Sequence, residues 1–403
     1  MKRIILTALV ICINNIVFSQ WIVQNSTTNN SLTDIQFIDN NIGFSSGASG
    51  TVLKTANGGQ TWQLLQSNTS VSLNSVYGLD LNNIYIGKLS LRTTTNGNSF
   101  FEIGGLDLLG GVKEICFFDS SNGIILNSNG ILKTNNEATS WQYANIYPSQ
   151  NAPLGQLWVN DFQFTDLNIG YAYGGLSSQN YGEIFKTTDG GNNWVDINLS
   201  TSYISAMNFI DSTIGYYFTY NSGLSSIYKT IDGGNNWNLI NDNINQYIAD
   251  MVFIDQLIGY TVSLDGNIDK TIDGGITWTN SYSTNGISLS SIEKTPNNSL
   301  YAIGNNGLIL KNEELVLSTN DETLSEHANF YPNPATDILH IDFNYNLNSI
   351  ATIQLYNIYG QLIINKTTQN KITGLNTKQL QKGIFFLQVT LDNKVYNEKI
   401  ILK

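Results

Sequence analysis

Arginine, histidine and cysteine are all scarce in this 403-residue chain, and each shortage narrows its function. The only cysteines are Cys12 and Cys116. Cys12 falls in the first twenty residues, which carry two cations, an apolar run and Ser19 before Gln20. That is the pattern of a secretory signal peptide, too short for a membrane span. With residues 1–20 removed, Cys116 stands alone, so no disulfide framework is possible and a buried strand position is expected for it. Arg3 leaves with the same segment, which makes Arg92 the one arginine of the mature chain. Both histidines, His327 and His340, lie near the C-terminal end, which removes His-based triads and His-ligated zinc from the rest. Charged residues are 12% of the chain, against roughly 25% in ordinary domains. Loss of Lys2 and Arg3 takes the net charge from −12 to −14, which argues against nucleic acid and anionic membrane as partners. No other run approaches 18 apolar residues, so a soluble mature chain without a transmembrane segment is expected.

What the chain has in abundance is repetition. KTTDGGNNW at 186–194 returns as KTIDGGNNW at 229–237 and KTIDGGITW at 270–278. The opening position of the phrase falls at Lys54, Thr93, Lys133, Lys186, Lys229, Lys270 and Lys311, in steps of 39, 40, 53, 43, 41 and 41 residues. The closing position falls at Trp21, Trp62, Phe101, Trp141, Trp194, Trp237 and Trp278. A fixed period near 40 marks a repeat architecture. Within one period, WVDINL, YISAMNFI, IGYYFTY and SIYKT read as four short strands with no helical periodicity. A second phrase, F-x-D-x-x-x-G, precedes the second strand at 37–43, 117–123, 164–170, 209–215 and 253–259. Four strands per 40 residues make a propeller blade, so the expected fold is an all-β, seven-bladed β-propeller over 21–311. Openers and closers are out of phase: residues 288–311 supply three strands of the last blade, and the strand around Trp21 supplies the fourth.

In register the nine-residue phrase is T-x-D-x-G-x-x-W: Thr187, Asp189, Gly191, Trp194; Thr230, Asp232, Gly234, Trp237; Thr271, Asp273, Gly275, Trp278. The first copy has Thr55, Asn57, Gly59 and Trp62. Asp and Asn cap backbone N–H groups in a turn, Gly takes positive φ, and Trp buries its ring between strands. The second and third copies are degenerate (Asn96, Asn98, Phe101; Asn136, Glu137, Ala138), which a turn tolerates and a catalytic motif does not. The phrase resembles the Asp-box (BNR repeat) of sialidase-type propellers. With the F-x-D phrase, residues 21–311 look most like the photosystem II assembly factors of the Ycf48/Hcf136 type. That resemblance implies a propeller whose Asp-boxes lie in turns away from the active face. A sialidase's arginine trio cannot exist here, and the arginine-rich patch of the photosynthetic relatives is missing, so neither function carries over.

Residues 312–327 (NEELVLSTNDETLSEH) read as a polar linker. Residues 328–403 alternate as short strands and suggest a small β-sandwich. Phe330, Pro332, Asn333 and Pro334, then Leu355-Tyr356 with Gly360, then Gly383 with Leu387, resemble the Bacteroidetes type IX secretion system C-terminal sorting domain (type A). The resemblance implies export through the periplasm and then across the outer membrane by that machinery, to the cell surface or the medium.

Two kinds of chemistry remain open. Paired carboxylates drawn from Asp107, Asp161, Asp196 and Asp250 would serve glycoside hydrolysis. Asp265, Asn267 and Asp269 alternate as oxygen ligands do around Ca²⁺, but no downstream Glu follows, and no other metal or cofactor is expected. The remaining reading is a secreted or cell-surface, non-catalytic propeller that binds a glycan or protein. The 53-residue step holds two insertions, after Trp141 and after Tyr173. Strand alternation sends both to one rim, where Tyr143, Tyr147, Trp158 and Tyr181 would join Asp161 as a ligand site.

Overall fold

The computed structural model describes residues 21–88, 90–94, 97, 99–103, 111–148, 158–176, 181–200, 202–312, 328–343, 350–357, 362–380, 382–391 and 394–403. They form strands and two short 3₁₀ turns, in two compact units, Met1–Glu314 and Leu315–Lys403.

The first unit holds seven antiparallel sheets, numbered I to VII from Leu32 onward, and they are the blades of a propeller. Their first strands are Leu32–Phe37, Ser75–Gly78, Glu114–Phe117, Val159–Phe164, Tyr203–Phe209, Ile248–Phe253 and Leu289–Lys294. Each blade packs on the next, and blade VII returns to Leu32–Phe37, so the ring closes. Six sheets have four strands; blade IV has a fifth, Asn145–Tyr147, parallel to its outer strand Asn193–Ser200. Blade VII is completed by Trp21–Gln24, which pairs antiparallel with Ile309–Asn312, Trp21 opposite Asn312. This covers an edge that would otherwise offer unpaired N–H and C=O groups.

The F-x-D-x-x-x-G phrase is a packing device. In blade VI, Phe253 stacks on Tyr216 of blade V with ring centroids 3.7 Å apart, and it meets Trp278 edge-on at 6.2 Å. Phe209 repeats the arrangement on Tyr171 (3.4 Å) and Trp237 (5.8 Å), and Phe37 on Tyr301 (4.0 Å) and Trp62 (6.1 Å). The glycine that closes the phrase lies beneath the phenyl ring: a methyl at Gly259 would sit 2.6 Å from Phe253, and one at Gly123 2.6 Å from Phe117. The aspartate holds the loop, as where Asp211 Oδ1 accepts the N–H groups of Thr213 (2.7 Å) and Ile214 (2.8 Å). Between blades IV and V, Tyr171 and Lys186 both reach across: the hydroxyl donates to Ser212 O (2.8 Å) and the ammonium to Gly233 O (3.0 Å).

The T-x-D-x-G-x-x-W phrase is the turn into each outer strand. Asp232 accepts from Thr230 Oγ1 (2.8 Å), the Asn236 N–H (2.9 Å) and Asn236 Nδ2 (2.7 Å), while Thr230 Oγ1 accepts the Gly234 N–H (3.0 Å). Hydrogen bonds from the Asn236 side chain and backbone hold the Asp232 carboxyl below its ordinary pKa. Gly234 has φ +89°, where a side chain is strained. The third copy makes the same turn with Glu137 and Ala138 at φ +58° and +60°. In the second copy the register differs from expectation: Phe100 is buried against Phe44 and Val76, in the place of the tryptophan, and Phe101 is exposed. That turn is one residue shorter, so spacing alone points to the wrong ring.

The second unit is a sandwich of a three-stranded sheet (Ala328–Tyr331, Ile338–Phe343, Ile372–Asn376) and a four-stranded sheet (Leu362–Thr368, Ala351–Asn357, Gly383–Leu391, Lys394–Leu402). Leu339, Ile341 and Phe343 of one sheet share a core with Ile353, Leu355, Leu387 and Val389 of the other. The Pro332-Asn333-Pro334 segment is fastened to the last strand: Asn333 Oδ1 accepts the Ile401 N–H (2.9 Å), and the Ala335 N–H donates to Ile401 O (2.8 Å). Gly383 has φ +149°, which suits glycine alone. Gly360 lies outside the described residues.

Candidate ligand site on the ring axis

The seven first strands leave their inner edges without a sheet neighbour, and in blades II, V, VI and VII a polar side chain from the preceding blade accepts an N–H of that edge. Asp34 Oδ2 of blade I accepts the Val76 N–H of blade II (2.8 Å), and Asp250 Oδ2 of blade VI accepts the Ile292 N–H of blade VII (2.9 Å). One layer along, Gln36 Oε1 accepts the Gly78 N–H (2.6 Å), Gln163 Oε1 the Phe209 N–H (2.8 Å), and Asn208 Oδ1 the Phe253 N–H (3.0 Å). These side chains enclose an axial cavity of about 310 Å³.

Five carboxyl groups line that cavity: Asp34, Glu114, Asp161, Asp250 and Glu293. Burial disfavours their charged forms. It raises Asp34 and Asp250 to about 6 each. Burial and then the charge of Asp250 raise Asp161 to about 7, and Glu293 to about 8. Glu114 is raised well above its usual range by burial, then by Asp34 and Asp161. Cys116 also lines the cavity, its thiol pushed by burial to about 12. Among the described residues no three His, Cys, Asp or Glu side chains are arranged to hold a metal.

First strands begin on the rim opposite the F-x-D loops and Asp-boxes. There Trp158 is 38% exposed, with the Lys113 ammonium 5.3 Å from its ring centre. Beside it, Asn160 Nδ2 donates to the Tyr203 hydroxyl (3.1 Å), and Tyr247 meets Tyr220 edge-on at 4.9 Å. These rings make that rim aromatic, although none of them lines the cavity itself.

The expected ligand residues are therefore found in three places. Trp158 is on that rim beside Lys113, and Asp161 lines the cavity. Tyr143 (54% exposed) and Tyr147 (53%) lie on the outer circumference. Within the first insertion, Asn145–Tyr147 joins blade IV as an edge strand, pairing Tyr147 with Val195. Tyr181 is buried, its hydroxyl donating to Glu183. Residues 149–157 and 177–180 lie outside the described residues. Of the carboxylates weighed for hydrolysis, Asp161 and Asp250 share the cavity, Asp196 is on the outer strand of blade IV, and Asp107 lies outside the described residues. Asp34, Glu114 and Glu293 were missed. Asp269 is bonded to the side-chain amides of Gln246 and Asn280, while Asp265 is exposed in the preceding turn.

Comparison with known proteins supports both halves of this description. The family model of the photosynthesis system II assembly factor YCF48 matches residues 13–150, and that of the secretion system C-terminal sorting domain matches residues 329–403. The sorting domain implies transport to the cell surface or extracellular space. No helix among the described residues is long and apolar enough to cross a membrane. A structure of YCF48 bound to D1 peptide is 19% identical, covering 72% of this chain and 96% of that one, with a TM-score of 0.59. PorZ, a surface component of the type IX secretion system of Porphyromonas gingivalis, is 12% identical over 92% of this chain and 59% of its own (TM-score 0.50). An ancestral GH74 enzyme is 13% identical over 94% and 63% (TM-score 0.55). At these identities the likeness is one of fold. No curated protein matches the chain by sequence.

Proposed function

We propose that this chain is a secreted or cell-surface propeller that binds, without transforming, a polypeptide segment presenting a basic side chain or amino group to the axial cavity. The observation that carries the reading is the cavity itself, about 310 Å³ with five raised carboxyl groups in its wall. An ammonium entering there supplies the opposite charge that burial denies those groups, so they ionise as it binds. Trp158 and the tyrosines on the rim where the first strands begin offer flat faces to the rest of the segment. The likeness to a propeller solved with a peptide is consistent with such an occupant. The test is calorimetric titration of the mature chain with a trilysine peptide and with its trinorleucine counterpart. The lysine peptide binds, the norleucine peptide does not, and Asp161→Asn with Asp250→Asn abolishes the difference. Equal behaviour of the two peptides overturns the reading.

A second reading, glycoside hydrolysis, draws support from Asp161 and Asp250 sharing one cavity with carboxyls raised to about 7 and 6. Reducing sugar released from xyloglucan by the purified chain, and lost with Asp250→Asn, would favour it.

A further inference from the structure

Between blades III and IV the crossing chain forms a full strand, and among the described residues blade IV is the one sheet of the ring with five strands. In the other blades the fourth strand is the outermost. Here the outer strand of blade III, Gln142–Tyr143, runs into Asn145–Tyr147, which crosses to blade IV and pairs in parallel with Asn193–Ser200. The crossing is pinned by the Asn145 N–H, which donates to Asn192 O (2.9 Å), and by Asn145 Nδ2, which donates to Asn193 Oδ1 (2.9 Å). It bridges the wedge between two blades and leaves a cavity of about 360 Å³.

We propose that this inter-blade cleft is a binding site for a neutral oligosaccharide, separate from the axial cavity. Its lining is made of amides and hydroxyls with one aromatic ring: Asn135, Ser140, Gln142, Asn145, Asn192 and Tyr143. Among the described residues no carboxylate lines it, in a chain with 31 of them and a net charge of −12. Its one cation, Lys133, is already engaged, donating to Gly190 O (2.8 Å) and Asn192 Oδ1 (3.1 Å). A charged ligand therefore finds no partner in the cleft, and a purely apolar one finds no hydrophobic wall.

Sugar hydroxyls do find partners. The side chains of Asn135 and Gln142 and the Tyr143 hydroxyl make no hydrogen bond within the described residues, and all three are exposed. They offer donors and acceptors of both kinds. Tyr143 is 54% exposed yet held in place, its backbone paired with Leu132 and its ring close to Gly130, where an added methyl would lie 3.8 Å away. An exposed, fixed aromatic face takes the C–H face of a pyranose, while the surrounding amides take its hydroxyls. An uncharged glycan meets both features at once.

The test is equilibrium binding of the mature chain to cellohexaose, maltohexaose, mannohexaose and chitohexaose, with a glycine–serine decapeptide as the polypeptide probe. At least one hexasaccharide binds. Tyr143→Ala weakens it at least about tenfold, Gln142→Ala by several-fold, and Tyr143→Phe retains most of the affinity. Asp161→Asn with Asp250→Asn leaves it unchanged, which separates this site from the axial one. Because Tyr143 and Gln142 are exposed, melting temperatures stay close to that of the parent chain. Were Tyr143→Ala to unfold, Tyr143→Phe and Gln142→Ala decide the matter. Failure of all four sugars to bind, binding indifferent to Tyr143→Ala and Gln142→Ala, or binding of the decapeptide alone overturns the proposal.

Discussion

The phenyl ring of Phe253 lies 2° from parallel to the phenol ring of Tyr216, one blade away, with Gly259 directly beneath it. The stack fixes Phe253 from above and Trp278 fixes it from the side. The phenyl ring therefore cannot yield to a larger residue at 259.

Gly259→Ala is expected to destabilise the ring by about 1–3 kcal/mol, the usual cost of overpacking a fixed core. Urea unfolding measures it. Adding Phe253→Leu should return part of the loss, since the smaller side chain vacates the space. An unchanged midpoint for Gly259→Ala would contradict the packing role given to this motif.

Trp21→Ala tests the seam. Trp21 is buried against Tyr260, and its Nε1 donates to Ser281 Oγ (3.2 Å). Truncating a buried tryptophan costs about 3–5 kcal/mol. A loss below about 1 kcal/mol would mean that the first strand contributes little to closing the ring.

The axial carboxyls make stability depend on pH with a definite sign. Asp34, Asp161, Asp250 and Glu293 rise from ordinary values of 3.8, 3.8, 3.8 and 4.5 to about 6, 7, 6 and 8. The folded ring thus holds more protons than the unfolded chain between about pH 4 and pH 8, so stability falls as pH rises through that window. The loop and Asp-box carboxyls such as Asp211 and Asp232 are lowered, so their contribution is lost only on acidification below about pH 4. Melting should therefore occur roughly 5 °C or more higher at pH 5.5 than at pH 8.5. Asp161→Asn with Glu293→Gln should flatten the slope. A melting temperature that climbs toward pH 8.5 would refute the assignment.

Sorting is tested by ending the chain at Leu317. Every strand of the seven sheets lies within Trp21–Asn312, so the truncated product should fold as a ring. Without residues 329–403, which match the sorting domain, it should accumulate in the periplasm. Full yield in the culture medium would remove the role assigned to the C-terminal unit.

The devices that build the ring were legible because they are local. The F-x-D-x-x-x-G loop is closed by Asp211 on Thr213 and Ile214, and the Asp-box by Asp232 on Asn236, within four residues each. The second copy misled because a one-residue shortening moved the buried ring from Phe101 to Phe100. The axial site was largely illegible for the opposite reason. Asp34, Glu114 and Glu293 occupy alternate polar positions that read as solvent-facing, and closure of seven sheets turns them inward. Tyr181 was misplaced in the same way, since period-two alternation states that residues share a face but not which face is covered. The parallel crossing of Asn145–Tyr147 carries no sequence signal at all, because its partner strand begins 46 residues after that crossing ends, at Asn193.

The pairing of Trp21 with Asn312 has a mechanical consequence. Because the two strands run antiparallel and these residues face one another, the first and last residues of the ring lie side by side. Tension applied at those two points does not load the whole ladder at once. It falls on the Trp21–Asn312 pair, then on Ile22–Lys311, then on Val23–Leu310, so the seam peels like a zip. Once Gln24 has parted from Ile309, blade VII is left with three strands and a bare edge. A ring closed this way gives way to a pull at its ends one residue pair at a time.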